Sequence, residues 1–594
     1  MQEIARLHAE LKAMVENESS TARQRAFSKA KTILARNRAF SLMQNEPPEP
    51  NQGDARDNAM VCITVTTFGT LALWFEVASR PEYASLAKNL PVPLDLLLRW
   101  VDFVHPIHGR TTQPKYLTGN HEQVITCVGA LLLSMARKKV VPFVRVAGAS
   151  AHDVHLILDL WLHYPRHMAD AESGHSETSG TLLLTMIEMV EGLVNDEVRY
   201  TAFVSGLRRA GQRRGDHGRH VLRSIAEQTV FLQNFSMPSL EWRWVWELHF
   251  KVAALVTQLP FFYGVRIPRQ VFRRIFGGVR YCLEYGEDAD GDSEMEHAVE
   301  SAANFLTGLL TNTNQSISLA RAIEVGLYGL VEDVKHVYGS DTPYVGYIEN
   351  HLLNGLSIFT VLRAFFRQYG SSFLLDDLCD EDEEGLSDNF LKFRYSFRIQ
   401  WRTYTYLTET RPWKRLIACS NTHSDAQHEL EVRPCPCGEA FYCSRRCQRA
   451  HWHAEHRAVC CHTNGLWGLQ GERCYASRIV LFSKTFIGAI NLNDALFLII
   501  TANRIITGKR AEIESLNPTS GQRRWILVDM TDARPEDFAS RCTFGLWDRI
   551  KDKISEDGRN DDGAKPPLIL DAAVKFRIAG LDVEHALPSL RRVD

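Results

Sequence analysis

The stretch CSNTHSDAQHELEVRPCPCGEAFYCSRRCQRAHWHAEHRAVCC runs from Cys419 to Cys461, and eight of the chain's 13 cysteines fall between Cys419 and Cys474. A structural zinc takes four soft or borderline ligands at tetrahedral corners, supplied as two pairs close in sequence. Four such pairs are present: Cys419 with His423, Cys435 with Cys437, Cys443 with Cys447, and His456 with Cys460. The members of each pair are close enough for one turn to aim both at the same ion, so four pairs imply two ions. Ser444 is a good helix N-cap, and the residues after it read as helical to Cys460. On that helix His456 and Cys460 stand at i and i+4 and share a face. Cys447 and His456, nine residues apart, point to opposite sides if the helix is unbroken, at ~100° per residue. One segment thus feeds two sites, so the first and third pairs are expected to hold one zinc and the second and fourth the other.

Four protein ligands leave no open position for water, so these zincs are expected to be structural and not catalytic. Three thiolates and a neutral imidazole leave each site at about −1, with Arg433, Arg445, Arg446, Arg449 and Arg457 nearby to offset it. A segment this short buries too little apolar surface to fold alone. Metal would supply most of its stability, on the order of 10 to 16 kcal/mol per ion.

The run Tyr442, Cys443, Ser444, Cys447, Gln448, Trp452, His456 and Cys460 resembles the MYND-type zinc finger, over about 42 of the 594 residues. That resemblance implies a module that binds short proline-containing peptides of partner proteins along a strand edge, with Gln448 and Trp452 lining the groove. Their spacing of four puts both on one helical face. Three features depart from the family pattern. Cys435-Pro-Cys437 is one residue tighter than the usual CxxC. His423 stands where the family has cysteine, and His428 or Cys474 is an alternative ligand. Trp452 to His456 holds one residue more than the commonest spacing.

The rest of the chain reads as mainly α. Residues 1–44 form amphipathic helices, followed by a polar linker at 45–57. From 58 to 414 apolar residues recur at helical spacing, as in Val154, Ile157, Leu158, Trp161 and Leu162, or Ile323, Leu327, Leu330, Val331 and Val334, or Leu352, Leu353, Leu356 and Leu362. Stacked helix pairs of the armadillo or HEAT kind, or an irregular helical domain, would satisfy this pattern; no repeat of fixed period appears. The finger occupies 415–462. Residues 475–594 read as an α+β cap, with helices at about 479–506 and 538–554 and strands in RRWILVDM and PPLILDAAVKFRIAG.

Function classes narrow accordingly. A net charge of −3 offers no bulk attraction to nucleic acid. Two arginine groups (Arg208, Arg209, Arg213, Arg214, Arg219, Arg223; and Arg266, Arg269, Arg273, Arg274, Arg280) read as solvated or ion-paired surface, so nucleic acid is not an expected partner. Asp288, Asp290 and Asp292 imitate a calcium loop, but Ser293 and Val299 occupy the glycine and bidentate-glutamate positions, which leaves the cage open. No apolar run is expected to reach the ~18 residues of a membrane span, and stretches such as Ala495 to Thr501 are core-sized. The amino terminus lacks a signal h-region, and its acids argue against a mitochondrial presequence, so the protein is expected in the nucleus or cytoplasm and not secreted. A protein-lysine methyltransferase is the rival class, because some carry this finger within a SET domain. Downstream of Cys461 there is no Asn-His pair and Tyr475 is the only tyrosine. The expectation is a non-enzymatic interaction protein.

Overall fold

The computed structural model describes most of residues 2–457; the longest stretches it leaves out there are 106–126, 132–150 and 376–387. Beyond 457 it describes 474–475, 490–491, parts of 496–504, and the strands from Trp525 onward. The described chain is mainly helical and divides into two compact units, Met1–Phe261 with Arg273–Phe305, and Phe262–Phe272 with Leu306–Asp594.

In the first unit the amphipathic helix Gln2–Glu16 buries Ile4, Leu7, Leu11 and Met14, a stripe at three- and four-residue spacing, against the helices Ser20–Ala35 and Ala55–Ala78. Ser19 caps the helix Ser20–Ala35, its hydroxyl accepting from the Ala22 amide at 3.4 Å. The start of the expected linker is tied down: the Trp100 indole donates to the Asn45 carbonyl at 2.9 Å, and Glu46 pairs with Arg99. Further along this unit the helix Ala151–Met168 packs on Glu177–Val194, Tyr200–Ala210 and His217–Asn234, and Glu241–Thr257 packs on Glu177–Val194. The periodic residues Val154, Ile157, Leu158, Trp161 and Leu162 of Ala151–Met168 are all buried.

One apolar stretch is longer than the sequence reading allowed. Met60–Ala78 covers 19 residues with a mean hydropathy of 1.6, long enough to cross a membrane, and 61% of it is buried inside the fold. Threonines interrupt the run in sequence, but the hydroxyls of Thr66, Thr67 and Thr70 each donate to a carbonyl four residues back. Those bonds remove the polarity that had disguised the segment. With Phe68, Leu71, Trp74 and Phe75 buried, it serves as a core helix.

In the second unit, Ile323, Leu327, Leu330, Val331 and Val334 are buried as the periodicity implies. They belong to two helices, Gln315–Val325 and Leu327–Tyr338, because Gly326 adopts φ 107°, a conformation that costs a side-chain-bearing residue dearly. In the first unit Val299, the would-be calcium ligand position, is a core residue at 1% exposure, while Asp288, Asp290 and Asp292 lie outside the described residues. Arg269 of the second arginine group pairs with Glu324. Arg208 and Arg209 are exposed, whereas Arg213 and Arg214 lie outside the described residues.

The described strands from Trp525 onward form a mixed sheet and differ from the expectation in detail. Trp525–Met530 runs parallel to Ile569–Ile578, which pairs antiparallel with Leu581–Ala586 and Leu590–Arg591. Cys542 and Thr543, expected in a helix, instead extend alongside Val528 and Leu527. Ile490 and Asn491, likewise expected to be helical, pair with Tyr475 and Cys474. In both places a strand partner distant in sequence overrides local helical propensity.

Candidate metal centre

The finger is framed by a two-strand ladder in which Arg433 opposes Tyr442 and Pro434 opposes Phe441. The turn within it closes with the Cys435 amide donating to the Ala440 carbonyl at 2.7 Å. The Cys-Ser-Asn opening is clipped to the second strand. The Ser420 amide donates to the Phe441 carbonyl at 2.7 Å, and the Phe441 amide donates to the Ser420 hydroxyl at 2.9 Å. The Val432 amide donates to the Lys414 carbonyl at 2.8 Å, which ties the finger to the residues preceding it. Cys419, Cys435 and Cys443 are thereby presented from a rigid backbone. Cys447 comes from the helix Arg445–His451, whose N-cap is Ser444 as the sequence implies; its hydroxyl accepts from the Cys447 amide at 3.2 Å.

Ligand atoms of Cys419, His428, Cys443 and Cys447 all lie within 4.8 Å of one another. The Cys443 and Cys447 sulfurs are 3.6 Å apart, and His428 Nδ1 is 3.4 Å from the first and 3.7 Å from the second. A tetrahedron with Zn–S of about 2.3 Å has edges of about 3.8 Å, so this donor set fits a zinc ion. The histidine in the cluster is His428, which the sequence offered as one alternative. His423 lies outside the described residues. Cys474 stands in a short strand paired with Ile490–Asn491.

A second pairing lies apart from this cluster. His456 Nε2 is 3.4 Å from Cys435 Sγ, and both residues are buried. Their expected companions, Cys437 and Cys460, lie outside the described residues. Cys447 and His456 therefore do turn to different partners, though not along an unbroken α-helix. Residues Trp452–His456 form a π-helical turn. Hydrogen bonding from i to i+5 accommodates one more residue per turn than the α-helix. The extra residue between Trp452 and His456 is absorbed there, and His456 still faces inward at 2% exposure.

Electrostatics at the cluster follow from burial and hydrogen bonding. Burial pushes the Cys419 thiol up to about 11. For Cys447 burial acts in the same direction, but hydrogen bonds with Ser444, Asn421, Cys443 and Cys419 outweigh it and hold the thiol below its ordinary value. Asn421, 1% exposed beside Cys447, went unnoticed in the sequence, where an Asn two residues after a cysteine carries no metal signal. The helix is braced by Tyr442, whose hydroxyl lies 3.0 Å from His451 Nδ1, while His451 Nε2 is 3.5 Å from Glu455. Arg433, Arg445, Arg446, Arg449 and Arg457 are exposed around the site. Gln448 and Trp452 are half-buried on successive turns, and the Trp452 ring meets His456 edge-on at 5.7 Å.

No curated protein and no solved structure matches the chain. Residues 418–460 match the family model for the MYND finger. With the ligand cluster in place inside that span, the chain carries a MYND-type zinc finger, a zinc-binding domain of the kind that mediates protein–protein interaction.

Proposed function

We propose that this protein is a non-enzymatic interaction protein of the nucleus or cytoplasm, in which a finger holding two structural zinc ions captures short, proline-containing peptides of partner proteins and the helical units act as scaffold. The observation that carries the reading is the divergence of ligands along one short helix, Cys447 toward Cys443 and His428, His456 toward Cys435. A second ion would be completed by Cys437 and Cys460. Closed ligand sets support a recognition role over catalysis, since they leave no coordination position for a substrate.

Gln448 and Trp452 would line the peptide groove. Their half-burial supports this, because a side chain fully in the core has no face to offer and a fully solvated one has no wall behind it. The strand Arg433–Pro434 supplies an edge along which an extended peptide can pair. The test is capture of partners by full-length protein and by Trp452→Ala, with zinc content measured on both. Loss of partners at unchanged zinc content is expected; the same partners recovered by both would refute the groove.

A further inference from the structure

The finger's arginines are unspent. From Ser444 to Arg457 every residue is described, and Arg445, Arg446, Arg449 and Arg457, all exposed, stand against one acid, Glu455. Arg433, on the neighbouring strand, is exposed as well. None of these five guanidinium groups makes a hydrogen bond or ion pair among the described residues. The acids nearest in sequence are already engaged: Glu431 by Lys414 and Arg415, Glu455 by His451 at 3.5 Å. Asp425, Glu429 and Glu439 lie outside the described residues. Elsewhere in the chain exposed arginines do find acids, as Arg99 does with Glu46, Arg166 with Glu227 and Arg269 with Glu324.

The charge of the zinc-thiolate clusters does not account for them. Arg445 and Arg449 each stand two residues from Cys447, ~200° round the helix at ~100° per residue, and so lie on the side away from the metal. Cys447 is 2% exposed, and both arginines reach into solvent. The side they occupy is the one that carries Gln448 and Trp452. Arg445, Gln448, Arg449 and Trp452 fall at i, i+3, i+4 and i+7, the spacing of a single helix face. Two half-buried residues are thus flanked on their own face by two free cations.

We propose that Arg445 and Arg449 select acidic peptides, reading two carboxylates two residues apart beside the proline. The inference rests on the peptide groove proposed above and names the chemistry of its occupant. Charge complementarity fixes the sign, since the rim presents unpaired cations. Geometry fixes the spacing. Arginines one helical turn apart have Cβ atoms about 5–6 Å apart. In an extended peptide, side chains two residues apart point the same way at about 6.6 Å, close enough for each carboxylate to meet one guanidinium. Arg445 lies about 10 Å along the helix from Trp452. The acids therefore fall within about three extended residues of a proline seated on that ring.

The test is binding of full-length, zinc-loaded protein to an array of nine-residue peptides with blocked ends, a central proline and randomised apolar neighbours. On one side or the other of the proline each carries Glu-Ala-Glu, Gln-Ala-Gln or Lys-Ala-Lys. The glutamate set should bind about fivefold to tenfold more tightly than the glutamine set, the scale that two exposed ion pairs supply, and the lysine set most weakly. The preference should shrink as salt rises. Arg445→Gln with Arg449→Gln should bring the glutamate set down to the glutamine set and leave the latter's binding and the zinc content unchanged. Arg446→Gln, on a different face, should keep the preference. Trp452→Ala should weaken all sets alike. Equal binding of the three sets by the wild type would overturn the acidic selection and leave the groove standing. Acidic peptides held undiminished by Trp452→Ala, or displaced equally by heparin, would show attraction by charge alone and overturn both. So would a wild type that binds no set at low salt. Loss of the preference in Arg446→Gln in place of the Arg445 and Arg449 variant would overturn the assignment of these two residues.

Discussion

Gln228 donates its side-chain amide to the backbone carbonyl of Trp161, deep in the first unit. The cause lies four residues after Trp161, where Pro165 sits inside the helix Ala151–Met168 with no N–H to offer that carbonyl. Gln228, itself 0% exposed, reaches across from the helix His217–Asn234 and replaces the missing donor. A local defect in one helix has become the bond that holds its neighbour in register.

Gln228→Leu should therefore cost about 1–3 kcal/mol, the penalty of an unpaired buried carbonyl. Adding Pro165→Ala should recover most of the loss, because alanine restores the helical donor. Urea unfolding of both variants checks this. A Gln228→Leu protein as stable as the wild type would show that the bond contributes nothing.

The two histidines that the sequence offers as ligands of the first site make opposite predictions. His428→Ala should remove or loosen the zinc held with Cys419, Cys443 and Cys447, because His428 Nδ1 sits at bonding-edge distances from two of those sulfurs. His423→Ala should leave the metal in place. Zinc content by mass spectrometry is expected at two ions for the wild type, with a one-ion deficit in the first variant only; the reverse pattern would reassign the ligand.

Acid should weaken both helical units through buried histidines. Burial lowers His249 to about 3 and His351 to about 4, so each stays neutral in the folded protein while the unfolded chain takes up a proton near 6.5. The unfolded state then binds more protons, and stability rises with pH. It should be fully present above about 6.5 and fall progressively as the pH drops toward 4. His249→Leu should flatten the first unit's share of that slope in thermal unfolding at pH 7.5 and 5. An unchanged slope would mean that His249 is not protonated on unfolding in this range.

The finger was legible in the sequence because metal coordination is a local, chemically strict demand. Few residue types serve, and they must come in close pairs, so Cys443, Cys447, His456 and the Ser444 cap announce themselves. Helical periodicity was legible for a similar reason, since one apolar stripe per helix is needed for burial wherever that helix packs. The choice of His428 was less accessible, because a hairpin must close before its imidazole comes near Cys443. The π-turn was hinted at by one surplus residue, but only the fixed inward position of His456 decides how that residue is absorbed.

By itself the amino-acid order determined the metal chemistry, the helical character of most of the chain and the strands at Trp525 and Ile569, all of which follow from short-range spacing. Tertiary structure alone decided the repair of Pro165 by Gln228, the extended pairing of Cys542 and Thr543, and the stacking of Phe366 on Trp401. Each of these joins residues remote in sequence. Whether a carbonyl, a strand edge or a ring finds its partner depends on which elements the packing brings side by side, and no local pattern carries that information.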